Sequence, residues 1–408
     1  MSELSKILKI IEEAPDDFES KMPEIEKKIF KDISILVKDL KLTHNGKIET
    51  SLENLKIIND IKLKLGKIVV SKEYSKEVEE FVSNIPKISN FQTSTEGLQH
   101  DAKKMMTAVT KAQIDKTLES LIGSGYKQEV VSNLYNTLLT NVTTGGSYSD
   151  LTEQLRSQLI TTEESPGLLS KHARTYVMDT LGQFAGQGNS MIADALNSEW
   201  FRYIGSNITT TREFCLHLTE KDFVHKSEIP EIIKGVIDGH ECKLNQNTGL
   251  PLGMKEETTP ENFIVHRGGW NCRHELIPVN EVIVPKNIRG KRSQKIVKDW
   301  ADKKVKGGIE FNSSNLYSGN IKISKSNIII AINHLTGKNK EIVIKVVENI
   351  NKWEKYKENV PLKHDRKDFN KFNYYTLEIG NNKYIIHVGI SVKTGEEIFY
   401  TVYNIKKT

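Results

Sequence analysis

Apolar residues recur three and four positions apart through most of the first 200 residues. Ile25, Ile29, Ile33, Leu36 and Leu40 trace one stripe, and Leu55, Ile58, Ile61, Leu65 and Ile68 trace a second. That period predicts amphipathic helices with one buried face. Thr50 and Glu53 have the spacing of a capping box ahead of the second stripe, and Asn45-Gly46 before them is a turn signal. Further helices are predicted over about 98–122, 126–142, 149–160 and 168–197, separated by the pieces GSG and TTGGSYSD. No fixed-period repeat, heptad run or low-complexity segment is present in the sequence, which disfavours a solenoid or a fibre.

The pattern changes near Trp200, where EWFRYIGSNITTTREFC alternates like a strand and then turns. The stretch GHECKLNQNTGLPLGMKEETTPEN has little periodicity of either kind and predicts a long irregular excursion pinned at its ends. After Pro285 comes a basic amphipathic stretch, NIRGKRSQKIVKDWADKKVKGG, and then the piece NSSNLYSGN, which reads as a linker. Two helices are predicted beyond it, about 325–336 and 339–357, then three strands, FNYYTLEI, KYIIHVGI and EIFYTVYNI, joined by the turn chemistry of GNN and KTGE. The fold class is therefore a multidomain chain. It has a mainly α N-terminal body, a loop-rich α+β Cys/His module, and a C-terminal α+β domain with an antiparallel meander. The expected divisions are an N-terminal helical region at 1–95, a helical body at 96–199, the Cys/His module at 200–285, a basic linker at 286–314 and the C-terminal domain at 315–408.

Length agrees with that division, since 408 residues exceed what one core usually serves. Hydrophobic residues make up 37% and charged residues 27%, an ordinary balance for a folded chain, and the densest apolar run, Ile328–Ile332, is far too short to span a bilayer. No membrane partner is expected. The N-terminus, MSELSKILKIIEEAPDD, mixes acids with lysines and lacks a secretory apolar stretch, so a cytoplasmic origin is expected. Net charge is +5, unevenly spread: residues 281–408 hold 25 Lys or Arg against 13 Asp or Glu, a balance of +12 that leaves −7 for residues 1–280. A basic module behind a mildly acidic body fits contact with nucleic acid, although a lysine-rich solvated face gives the same balance.

The three cysteines, Cys215, Cys242 and Cys272, are too few for a disulfide framework. All three lie between positions 215 and 274, together with five of the eleven histidines, and such crowding favours a site. Zinc takes four N or S donors in a tetrahedron, and Cys272 and His274, one residue apart, can supply two if the backbone turns sharply. Gly268 and Gly269 supply that freedom. Cys215 is the expected distant partner, with His217, His225, His240, Cys242 or His266 competing for the fourth place. A packed turn is the rival reading, with Cys215 and Cys272 as buried small hydrophobes, His274 bonded to backbone and Trp270 in a small core. A His-Asn-His nuclease core is disfavoured, because neither the preceding Asp-His pair nor the following Asn and His is found.

The run TREFCLHLTEKDFVHKSEI, followed some forty residues later by GGWNCRHELIPV, resembles the C-terminal module of phage head morphogenesis proteins. These are the minor capsid family related to protein F of phage Mu. The matching residues are Arg212, Cys215, Gly269, Asn271, Cys272, Arg273 and His274. The helix carrying HARTYVMDTLGQFAGQGN and the strand EWFRYIGS also match in place, so the resemblance covers about 100–280 and, more weakly, the N-terminus. His274 stands where many members have a second cysteine. The resemblance implies a virion or procapsid component near the portal, present in the host cytoplasm during assembly. Portal and major capsid proteins are then its partners. The departure at His274 leaves room for a structural zinc at Cys215, Cys272 and His274 but puts four-thiolate coordination out of reach.

In the C-terminal domain, strand parity places His387 and Thr401 as neighbours, and KHDRKDF sets His364 beside Arg366 and Lys367. Metal-independent RNA cleavage needs a base, an acid and a cation for the phosphorane, which these side chains can supply. The order of elements resembles the barnase, EndoU, colicin and RelE-like nucleases. That likeness implies a ribonuclease at 315–408, acting on RNA or contacting phage DNA, and side-chain chemistry with strand parity gives His364, Arg366, His387 and Thr401 as its expected catalytic residues. The alternatives are a decoration or adaptor domain, or a relic that binds RNA without cutting. For the whole chain they are a freestanding ribonuclease toxin, or a zinc-dependent nucleic-acid-binding protein with no capsid role.

Overall fold

The first apolar stripe folds as α1 (Glu3–Val37) and the second as α2 (Leu52–Ile68). The cap of α2 falls one residue later than expected: Ser51, not Thr50, accepts the Asn54 N–H at 3.2 Å. Then follow α3 (Lys72–Val82), α4 (Asn84–Thr93), α5 (His100–Ile122), α6 (Ser124–Thr144), α7 (Tyr148–Leu159) and α8 (Leu168–Ala195). In this computed structural model residues 3–335, 340–361, 368–380 and 382–405 are described. The chain forms two units, Met1–Asn280 and Glu281–Thr408.

The eight helices share one core, in which Ile29, Ile33, Ile58, Leu65, Leu134, Leu138 and Val177 are completely buried. The expected division at 95 is thus not a boundary, because the faces of α1 to α4 close on those of α5 to α8. Glu26 shows how α1 is tied in. Its buried carboxylate accepts from Thr161 N, Ser170 N and Ser170 Oγ at 2.9, 3.0 and 2.6 Å, capping the first turn of α8, where free N–H groups favour an anion.

The same unit continues through β1 (Trp200–Ile204), α9 (Glu213–Lys221), β2 (Phe223–His225), the single-turn α10 (Ile229–Ile232), the ribbon β3 (Val236–Ile237) and β4 (His240–Glu241), single-turn α11 (Phe263–His266) and β5 (Glu275–Val279). β1 is central in an antiparallel sheet of order β2-β1-β5. Phe201, Tyr203, Phe214, Val224, Phe263 and Leu276 make a small core of their own. Between β4 and α11 the excursion is irregular, as its sequence predicts.

The second unit begins with α12 (Lys286–Lys304), β6 (Ile309–Asn312) and β7 (Asn320–Ile323). These elements replace the linker expected at 286–314. Val297, Ala301 and Val305, four positions apart, form a stripe fully buried with Ile328, Ile332 and Trp353, which the surrounding lysines concealed. α13 (Lys325–His334) starts where expected, but α14 (Ile342–Glu348) is short, and the rest of the helix predicted to 357 is a one-turn bend and β8 (Glu354–Pro361). Trp353 enforces the break: its ring is fully buried and its indole N–H donates to Val346 O at 2.9 Å. β9 (Phe369–Ile379), β10 (Asn382–Ser391) and β11 (Glu397–Ile405) are the three expected strands. They sit in a six-stranded sheet of order β6-β7-β11-β10-β9-β8, antiparallel except for β7 beside β11.

Candidate metal centre

Cys215 lies on α9, and Cys272 and His274 lie in the turn entering β5, 57 and 59 residues later in the chain. The sheet brings them together, since β1 pairs with β5 and runs on into α9. One donor atom from each of the three lies within 4.8 Å of the other two, and all three side chains are buried. Cys272 Sγ is 3.8 Å from His274 Nδ1. Metal bonds of about 2.0–2.3 Å in a tetrahedron set donor separations of roughly 3.5–3.8 Å, so the group can hold a metal ion.

The donors are oriented by their surroundings. Nε2 of His274 is 3.0 Å from Asn207 Oδ1, an acceptor that holds the ring with its Nδ1 facing Cys272. The His274 ring stacks on Tyr203 at 5.1 Å and 11°, and the Tyr203 hydroxyl is 3.7 Å from Cys272 Sγ. Burial pushes the Tyr203 phenol well above its ordinary range, keeping it a neutral hydrogen donor to sulfur. Hydrogen bonding from Cys215 holds the Cys272 thiol well below the usual range, with His274 and Arg267 adding to it. The same contact, then burial, push Cys215 upward. A cation bound at this point favours release of the thiol protons, because the metal takes its sulfur ligands as thiolates.

Space for the sulfurs is made by glycine. A Cβ on Gly268 would stand 2.4 Å from Cys215 Sγ and 2.8 Å from Cys272 Sγ, and one on Gly269 would stand 2.0 Å from Gly253 O. At Gly269 the backbone also turns left-handed, with φ of 90°. Arg212 clasps the turn, donating to Gly268 O at 2.9 Å and Trp270 O at 2.5 Å. Trp270 N donates to Gly253 O at 3.0 Å, so the excursion is pinned at its middle as well as its ends.

Trp270 is not in the small core that the packed-turn reading gives it. It is 48% exposed, with Lys255 Nζ 4.0 Å above its ring. The competing fourth ligands do not join the group either. His217 stacks on His240 at 4.8 Å, His225 bonds Ser227 Oγ at 2.6 Å, His266 meets Thr258 Oγ1 at 3.1 Å, and Cys242 is buried elsewhere in the small core. Among the described residues, no fourth His, Cys, Asp or Glu stands with the three.

The support under the turn is what the sequence concealed. Asp179 on α8 accepts Asn271 N at 2.7 Å and pairs with buried Lys255 at 2.9 Å. Arg267 and Glu275 form a pair at 2.6 Å with both side chains out of solvent, and Arg267 also donates to Gly182 O. Burial pushes the Glu275 carboxyl upward against the opposing pull of Arg267. Substituting Cβ atoms at Gly182 and Gly186 would strike Arg267 and Ile264 O, and the glycines of GQFAGQGN were the available signal of that close approach.

In the second unit, His387 and Thr401 are direct partners across β10 and β11, as parity predicts. His387 packs among Tyr374 at 4.3 Å, Tyr403 at 4.7 Å and Phe372 at 6.4 Å, and burial lowers its pKa to about 4, so the ring is neutral at pH 7. Thr401 is completely buried, and its hydroxyl has no hydrogen-bond partner among the described residues. His364 and Arg366 lie outside the described residues. A cluster not foreseen centres on buried Glu397, which accepts from Asn373 Nδ2, Tyr375 hydroxyl and Ser318 Oγ at 2.5, 2.7 and 2.6 Å. No family model, curated protein or solved structure matches the chain.

Proposed function

We propose that this chain is a phage minor head protein of the head morphogenesis kind, and that Cys215, Cys272 and His274 bind zinc as a structural tie. One observation supports the reading most: the two segments that carry the family resemblance, Thr-Arg-x-x-Cys and Gly-x-Asn-Cys-Arg-His, meet at one point, with Arg212 of the first clasping the turn of the second. Two sulfurs and an imidazole suit zinc better than magnesium or calcium, which take oxygen donors. Held there, zinc would tie α9 to β5 across the small core. Portal and major capsid proteins are the partners this reading names, and the virion is its location. Mass spectrometry of purified particles tests it, and finding the chain only in the soluble fraction of infected cells overturns it.

A second activity, metal-independent ribonuclease at 315–408, is supported by the registered His387–Thr401 pair on a basic domain. With its depressed pKa, His387 suits a base at neutral pH and not an acid, so His364 is the proposed proton donor and Arg366 the cation for the phosphorane. The full chain should cleave RNA in the presence of a chelator, and His364→Ala should abolish the cleavage. RNA left intact at stoichiometric protein, yet bound in a salt-sensitive way, would mark a binding module instead.

A further inference from the structure

The Cys/His group forms the floor of a pocket. Cys215, Cys272 and His274 line a space of about 250 Å³ whose rim is Ser206, Ile208, Thr210, Thr211, Asn271 and the two arginines Arg212 and Arg273. The donors are buried, whereas Ser206, Ile208, Thr210 and Asn271 are exposed, so the pocket opens to solvent above the sulfurs. Purely structural zinc sites close their fourth position with protein, and this one has three protein donors with free space over them. Tyr203, the remaining polar group against the sulfurs, is fully buried and does not line the pocket.

We propose that the metal at Cys215, Cys272 and His274 takes its fourth ligand from this pocket, as an exchangeable small anion with an oxygen or nitrogen donor. The inference rests on the metal reading above and assigns the open position of that site. Charge selects the anion. Two thiolates balance a divalent ion, and no carboxylate lines the pocket. Arg273 is offset by Asp16 at 3.0 Å, but Arg212 spends its hydrogen bonds on carbonyl oxygens and keeps its full charge. Size selects a small ligand, because pockets for drug-sized molecules run from about 300 to 1,000 Å³. Hydroxyls of Ser206 and Thr210 at the rim can hydrogen-bond a ligand such as acetate or azide.

Cobalt(II) titrated into the metal-free full chain reports the coordination directly, through thiolate-to-cobalt absorption in the near ultraviolet and ligand-field bands in the visible. The expected result is an intense four-coordinate spectrum whose visible bands shift saturably on adding azide or acetate. Thr210→Trp, at the exposed rim, should keep the cobalt spectrum and weaken azide binding roughly tenfold or more. A four-coordinate spectrum that neither anion perturbs overturns the proposal while leaving the metal reading intact. If Tyr203→Phe then alters that spectrum, the phenol holds the fourth position, and if the spectrum depends on protein concentration, a second copy does. An azide response unchanged in Thr210→Trp also overturns it, because the anion then enters by another route. Failure to bind cobalt or zinc at all removes the metal reading and this inference together.

Discussion

The Cys/His module and the C-terminal sheet both set chemically capable side chains side by side, but they support them differently. Around Cys272 every neighbour is fixed: glycine clears the sulfurs, Asn207 orients the imidazole, Arg212 clasps the turn and Asp179 anchors it from α8. Around His387 the neighbours are aromatic rings, and the Thr401 hydroxyl beside it is buried without a partner. Strand register alone produces a pair of adjacent residues. A binding group needs a second layer that holds each donor atom, and only the first region has one among the described residues.

Breaking the support of the module should have the largest effect. Arg267→Met leaves Glu275 buried without its cation and should cost about 3–5 kcal/mol in denaturant unfolding of the first unit, whereas Arg267→Met combined with Glu275→Leu should cost clearly less. Equal losses for the single and double variants would mean the pair contributes nothing as a pair. Next, Gly268→Ala should abolish stoichiometric metal binding and cost about 1–3 kcal/mol, while Gly290→Ala, on α12 with open space around it, should leave metal binding unchanged and stabilise the second unit by about 0.5–1 kcal/mol. Metal content by mass spectrometry, with thermal melting, checks the two together.

The sheet should answer more weakly. Glu397→Gln replaces one carboxylate oxygen with a donor facing donors and should cost about 1.5–3 kcal/mol in the second unit, read by denaturant titration. Thr401→Val removes an unpartnered buried hydroxyl and should be neutral or stabilising by about 1 kcal/mol. If it also abolishes RNA cleavage, the hydroxyl is kept for chemistry and not for the fold. The smallest effect concerns pH. The folded pKa of His387 lies below its ordinary value of 6.5, at about 4, so the unfolded chain takes up the proton first. Its contribution is present above about pH 6.5 and is lost as pH falls through that window towards 4. His387→Phe should flatten the fall, and an unchanged pH profile of unfolding would show that the ring is not desolvated.

Much of the fold was legible where local rules act without help. The helices of the first unit follow a 3.6-residue apolar period, and α5 to α8 fall within a few residues of expectation. The strand β10 alternates from Lys383 to His387, ahead of the register shift that follows His387, so the His387–Thr401 pairing followed from parity. Two segments were misread because their neighbours decide them. In α12 the lysines outnumber a narrow stripe of Val297 and Ala301, whose burial depends on the helix and sheet beneath. The chain at 354–361 became a strand because β9 offers an edge for it to pair with, and no local signal records that offer.

Residue type and spacing alone determined which side chains could meet a metal: two thiols and an imidazole, with glycines ahead of them, are legible because such donors are scarce and sharp turns need special residues. Tertiary structure alone decided that none of the expected fourth candidates joins them, that a pocket opens to solvent above them, and that Arg267, Glu275 and Asp179 brace the turn from beneath. The physical reason is range. Turn chemistry and periodicity act over a few residues, whereas burial, desolvation and the closing of a coordination shell depend on atoms that become neighbours only when the chain has packed.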